Sequence, residues 1–108
     1  MACRLSVEKM EALERKHRVE ISATAYLERD EDDEDNDSVK VISEVVSSRL
    51  DYDLSVIVSV YNPSGEIIGT DYAYIDSDTF EGIEPFSIEI SIPKGENVGR
   101  VRVYPKQN

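Results

Sequence analysis

Apolar and polar residues alternate along most of this chain, most cleanly at residues 54–61, where Leu54, Val56, Val58 and Val60 face one way and Ser55, Ile57, Ser59 and Tyr61 the other. A repeat of two is the signature of a strand with one buried face. Asn62 and Pro63 then fit the first two positions of a type I turn, and Gly65 supplies the left-handed residue of a bulged hairpin. The returning strand runs from Glu66 to about Ile75. An earlier strand sets Val19, Ile21, Ala23, Ala25 and Leu27 against Glu20, Ser22, Thr24, Tyr26 and Glu28. Between Val39 and Leu50 the pattern is mixed, with Val39, Val41 and Val45 on one face and Ile42, Val46, Ser48 and Leu50 on the other. That mixture predicts a bulge or a strand covered on both sides. After the turn-rich residues 76–85, Phe86, Ile88, Ile90 and Ile92 alternate with Ser87, Glu89, Ser91 and Pro93. A last strand carries Val101 and Val103, with Arg100, Arg102 and Tyr104 opposite, and is expected to end at Pro105.

The first 18 residues read differently. Ser6 before VEKMEALERKH fits an N-capped helix, with Glu8 and Glu11 near its start and Lys16, His17 and Arg18 near its end, as the helix dipole favours. Val7, Met10 and Leu13, with Leu5 as a further candidate, form a narrow apolar stripe, and Glu11–Arg15 and Glu14–Arg18 stand one turn apart. So short a helix needs a surface to dock on.

Six or seven short strands with turns between them, and no helix after residue 18, predict an all-β fold: an immunoglobulin-like antiparallel β-sandwich with a short N-terminal helix. The 108 residues suffice for one core. The expected organisation is a helical or partly ordered segment at 1–18 and a sandwich at 19–108 with an acidic loop at 28–38.

Charge sharpens this picture. The chain carries 23 acidic and 12 basic residues, a net charge of −11, and residues 28–37 (ERDEDDEDND) contribute −7 of it. Nucleic acid and anionic membrane surfaces are disfavoured partners by sign. No apolar run is long enough to span a bilayer as a helix. The start lacks a signal-peptide pattern, so the sequence as written reads as cytoplasmic, and as extracytoplasmic if its N-terminus has been trimmed. Asn36-Asp37-Ser38 fits a glycosylation sequon that needs export to be used.

Catalytic chemistry finds few candidates. One histidine, His17, and one cysteine, Cys3, cannot assemble a histidine-based triad or a histidine-rich zinc site. The five glycines are scattered rather than gathered in a phosphate loop. Asp51 and Asp53, and Asp76 and Asp78, read as turn-capping aspartates before acid/base pairs. The sharpest site expectation is calcium, which takes six to eight hard oxygen ligands. Asp30, Asp32, Asp33, Asp35 and Asp37 are its candidate ligands, although the loop has no glycine at the sixth position and places Val41 where an EF-hand starting at Asp30 needs glutamate. The alternatives are a solvated loop that blocks edge-to-edge association and a surface for a basic partner. Tyr72 and Tyr74 share a strand face and offer a second candidate surface, with Tyr26, Tyr52, Tyr61 and Tyr104 on other segments.

The run Val58, Ser59, Val60, Tyr61, Asn62, followed by Pro63, Ser64 and Gly65, resembles the motif that names the FxLYD domain family, a strand entering a glycine turn. Ile67, Ile68, Gly69 and Thr70 are similar to the apolar strand that follows it there. Gly82, Ile83, Glu84, Pro85 and Phe86 are similar to the family's glycine-then-Phe stretch. The resemblance covers about residues 19–104; Val58 stands where the family has an aromatic residue, Val60 where it has Leu and Asn62 where it has Asp. It implies a β-sandwich module without catalytic residues to carry over. The expectation is therefore a non-enzymatic binding or assembly module with a protein partner, the alternative a calcium-binding sandwich, and the oligomeric state open.

Overall fold

The structure, a computed structural model, describes residues 2–108. The chain forms β1 (Ala2–Leu5), β2 (Val7–Lys9), α1 (Glu11–His17), β3 (Glu20–Glu28), β4 (Asn36–Val46), β5 (Leu54–Tyr61), β6 (Ile67–Ile75), β7 (Ile83–Pro93) and β8 (Arg100–Gln107). Two four-stranded sheets result, one in the order β1-β3-β4-β7 and the other β2-β8-β5-β6. All neighbours are antiparallel except β2 and β8. The all-β sandwich is thus the fold the alternation predicts. Its connectivity makes β3 and β4, consecutive in the chain, a hairpin within one sheet.

Inward positions of β3, β4, β5, β7 and β8 supply a core of Val, Ile and Leu, among them Ile21, Val41, Val58, Ile92 and Val103, all fully or nearly fully buried. β-Branched side chains suit the pleated surface. Each contributes about 1.5–3 kcal/mol on leaving water, which makes the inner face the dominant constraint on register.

The N-terminus departs from expectation. No helix starts at Ser6; Leu5 pairs with Ala25 in the first sheet, Val7 pairs with Val101 in the second, and Ser6 lies at the switch, its carbonyl accepting the Val101 N–H at 3.0 Å. Residues 2–9 are therefore part of the sandwich rather than a separate helical segment. Strand pairing at two sheet edges outweighs a helix propensity worth only tenths of a kcal/mol per residue. The helix that does form is seven residues long, begins after Met10 without a side-chain cap, and ends at Arg18 in the left-handed conformation (φ 59°). Glu14 does not pair with Arg18: it is buried, accepts the Ile21 N–H at 3.0 Å and lies 3.5 Å from the Lys9 ammonium, so it pins α1 to β3.

Two further boundaries differ. The mixed strand is β4, which ends at Val46; its second face is uncovered, and Ile42 and Val46 are exposed there. Pro105 lies within β8 opposite Val56. β2 reaches only Val101–Val103, so beyond it β8 is locally an edge, where a missing N–H is tolerated.

Both long edge strands carry blocking devices. On β6 the Asp71 carboxylate accepts its neighbour Tyr72's backbone N–H at 2.8 Å. On β7 the Lys94 N–H donates to Asp35 on the β4 side. Alternate residues, Pro85 and Pro93 among them, therefore turn their nitrogens to the free edge, where they offer no donor.

Candidate functional site

The expected calcium ligands fall into three environments. Asp30 Oδ1 accepts the Asp32 N–H at 2.9 Å, and Asp33 Oδ1 accepts those of Asp35 and Asn36 at 2.8 and 2.9 Å. These backbone bonds hold the Asp33 carboxyl below the usual carboxylate range. Asp32 and Asp35 are exposed.

Asp37 is not in the connection at all. It is the second residue of β4, faces inward and is fully buried. Its carboxylate takes the Arg29 guanidinium at 2.7 Å, the Lys94 ammonium at 3.2 Å, and the N–H groups of Asp30 and Gly95 at 3.2 Å each. Arg29 first, then the Gly95 amide, Lys94 and the Asp30 amide, hold it far below the ordinary range against the opposing effect of burial. Arg29 also donates to the Glu96 carbonyl, and Lys94 to that of Asp30. This knot ties the β3–β4 connection to the β7–β8 turn. Two cations and two amides already occupy the carboxylate, so Asp37 is a structural anion. Among the described residues no group of three or more His, Cys, Asp or Glu side chains is gathered in a geometry that could hold a metal ion.

The paired aspartates also serve local structure. Asp51 meets Arg49 at 2.6 Å, Asp76 accepts the Asp78 N–H at 2.9 Å, and Asp53 accepts the Ser77 N–H and hydroxyl at 2.9 Å. His17 lies 2.5 Å from the Tyr52 hydroxyl, its ring edge-on to the tyrosine. Burial and then Lys16 push its pKa down. Cys3 is exposed on β1.

The tyrosines, in contrast, converge. On the outer face of the second sheet, register places Tyr104, Ile57 and Tyr72 in one row across β8, β5 and β6, and Lys106, Ser55 and Tyr74 in the next. The opposite faces of these strands fill the core, so these side chains point away from it. Tyr72 is 61% and Tyr74 51% exposed. Together with Ser55, Ile57, Lys106, Gln107 and Asn108 they line an open depression of about 450 Å³. Tyr74 is fixed by its hydroxyl, which donates to Asp53 Oδ2 at 2.6 Å; that bond, then burial, then the charges of Asp53, Asp76 and Asp78 push its pKa up to about 12.

Further along the same face Arg100 and Arg102 lie over the Tyr61 ring, 4.4 and 5.1 Å from its centroid. Glu8 on β2 accepts from Arg102 Nε at 2.5 Å and lies 3.8 Å from Arg100 Nε. The Glu8 bond raises the already high pKa of Arg102, keeping the guanidinium charged. Four of the six tyrosines thus share one sheet face with two arginines.

Two other features are less developed. A hollow of about 510 Å³ at the β1–β2 switch is lined by Arg4, Leu5, Ser6, Val7, Ala23 and Thr24, with no aromatic ring. On the outer face of the first sheet Val46 pairs with Ile83, both exposed, with Ile42 nearby. Sequence reading finds Tyr72 and Tyr74 on one face; Tyr104 joins them only through the non-local β5–β8 register. The alternation Asp37, Val39, Val41, extended by one step, was the available signal for the buried Asp37.

No protein-family model matches this chain, and neither a curated protein nor a solved structure matches it.

Proposed function

We propose that this protein is a non-catalytic β-sandwich module that binds a protein partner through the outer face of the β2-β8-β5-β6 sheet. The observation that carries the reading is the row Tyr104–Ile57–Tyr72 with Tyr74 beside it, on a face that also holds Arg100 and Arg102. Tyrosine and arginine are among the residues enriched at protein interfaces and at their energetic centres. Tyr74 is held by Asp53, so less side-chain freedom is lost on binding. The FxLYD resemblance belongs to the same proposal: Val58–Tyr61 complete β5, and Asn62 Oδ1 accepts the N–H groups of Ser64 and Glu66 as the motif's aspartate would. The calcium alternative gains no support from an Asp37 already paired with two cations.

A photo-crosslinking amino acid placed at position 72 or 74, with position 89 on the other sheet as control, tests the reading in cells. Crosslinks to a discrete protein from 72 and 74 and not from 89 are expected. Equal yields at all three positions, or none, refute it.

A further inference from the structure

Resting on that reading of the tyrosine face, we propose that the segment it takes is cationic: an extended stretch of a protein partner that sets a Lys or Arg side chain against the rings of Tyr72 and Tyr74. The two residues are alternate positions of β6, so their side chains rise from the same face about 7 Å apart along the strand. Carboxylates gather at the Tyr74 end. Asp53 bonds the Tyr74 hydroxyl, and Asp76 and Asp78 lie close enough to act on that phenol. Among the described residues none of these three carboxylates forms an ion pair with a lysine or arginine. Lys106, across the depression, is the one cation that lines it.

The chain itself displays the complementary arrangement at the other end of the same face. There the Tyr61 ring carries two guanidinium groups, and the Glu8 carboxylate closes on them. Around Tyr72 and Tyr74 the rings and the carboxylates are present, and what the arrangement lacks is the cation. A charge over a tyrosine face gains from the ring quadrupole, more so as it is desolvated. The same position repels an acidic segment. The mode of docking follows from β6, where the Asp71 carboxylate occupies the Tyr72 N–H. A partner strand finds that edge donor taken, so the segment lies on the sheet face rather than extending the sheet.

A random peptide library displayed on phage, selected against the intact protein, tests this. The expected result is enrichment of peptides with net positive charge whose binding is lost in Tyr72→Ala and Tyr74→Ala. In the double variant Asp76→Asn/Asp78→Asn binding weakens by about fivefold, the size expected for two exposed charge pairs. Asp32→Asn/Glu34→Gln removes the same charge from the β3–β4 connection and should leave binding unchanged. Circular dichroism melts of the tyrosine variants confirm that they fold. Enriched peptides that are neutral or acidic but still need Tyr72 overturn the cationic inference and leave the binding face standing. Equal weakening by Asp32→Asn/Glu34→Gln also overturns it, because bulk charge is then the cause. Peptides indifferent to both tyrosines, or no enrichment, overturn the binding face as well.

Discussion

The Tyr74 hydroxyl donates to the Asp53 carboxylate at 2.6 Å, joining β6 to the segment before β5 at one end of the tyrosine face. Ionising the phenol would break this bond, leave a charge partly out of water and set it against nearby carboxylates, which is why its pKa rises to about 12 from an ordinary value of 10. The stabilisation from this bond is therefore complete below pH 10 and is lost between pH 10 and about 12, since the unfolded chain gives up its proton first. In an absorbance titration of tyrosinate, one tyrosine should ionise near pH 12, and Asp53→Asn should return it toward 10. An unchanged titration in that variant contradicts the assignment.

Asp37 offers a test at the opposite extreme of pH. Its folded-state pKa lies below the ordinary 3.8, so its contribution is full above that value and disappears as acid protonates the folded carboxylate. Asp37→Asn leaves Arg29 and Lys94 facing a neutral amide at a fully buried position. We expect the melting temperature at neutral pH to fall by about 10 °C or more, and the gap from the parent to narrow below pH 4. Thermal melts across this range decide it; a constant gap shows that lost packing, not charge, is the cause.

What could be read from the residues was whatever is decided locally. The β5–β6 turn is such a case: Gly65, at φ 85°, donates to the Asn62 carbonyl at 3.0 Å, while the Asn62 side chain caps the return. The strands fared well because alternation reports burial directly. Residues 6–9 misled because their helical charge order and apolar spacing are local, whereas the pairing that wins is with Val101–Val103, more than 90 positions away. Asp37 was indistinguishable in composition from the acids before it; its role depends on Lys94 and Gly95 arriving from another turn. The tyrosine face was half visible. Tyr72 and Tyr74 declare themselves by spacing, but Tyr104 and the arginines reach them only through strand order, which the pattern does not encode.

Asp71 is expected to guard an edge. Asp71→Ala removes the acceptor from the Tyr72 N–H and frees that donor on the outer side of β6, next to an exposed tyrosine. Unpaired donors on a long edge are templates for strand addition. The variant should keep a near-parental melting temperature yet associate or aggregate with rising concentration, as light scattering would report. Monodisperse behaviour equal to the parent's means that the edge is protected by other means, such as the β7 prolines.

Two glycines should respond unequally to a methyl group. At Gly69, where β6 crosses β7, a Cβ would stand 2.7 Å from Ile90 Cγ2 and 3.1 Å from Ile92 Cγ2, its two nearest neighbours, with the Ser91 carbonyl oxygen further off at 3.3 Å. At Gly99 it would meet Asn62 O at 2.9 Å, with Asn62 C and Pro63 Cα at 3.0 Å. Side-chain atoms can give way by small rotations, whereas the second contact is all backbone and belongs to the β5–β6 turn. That turn is also held by the Gly99 N–H, which donates to the Tyr61 carbonyl at 2.7 Å. Both alanine variants should be destabilised, by about 1–3 kcal/mol as for overpacked sites in general, with Gly99→Ala the worse of the two. Urea melts of the pair provide the comparison. If Gly69→Ala proves the costlier, then Ile90 and Ile92 are less free to move than the turn, and the rigid part of the sandwich is the β6–β7 crossing.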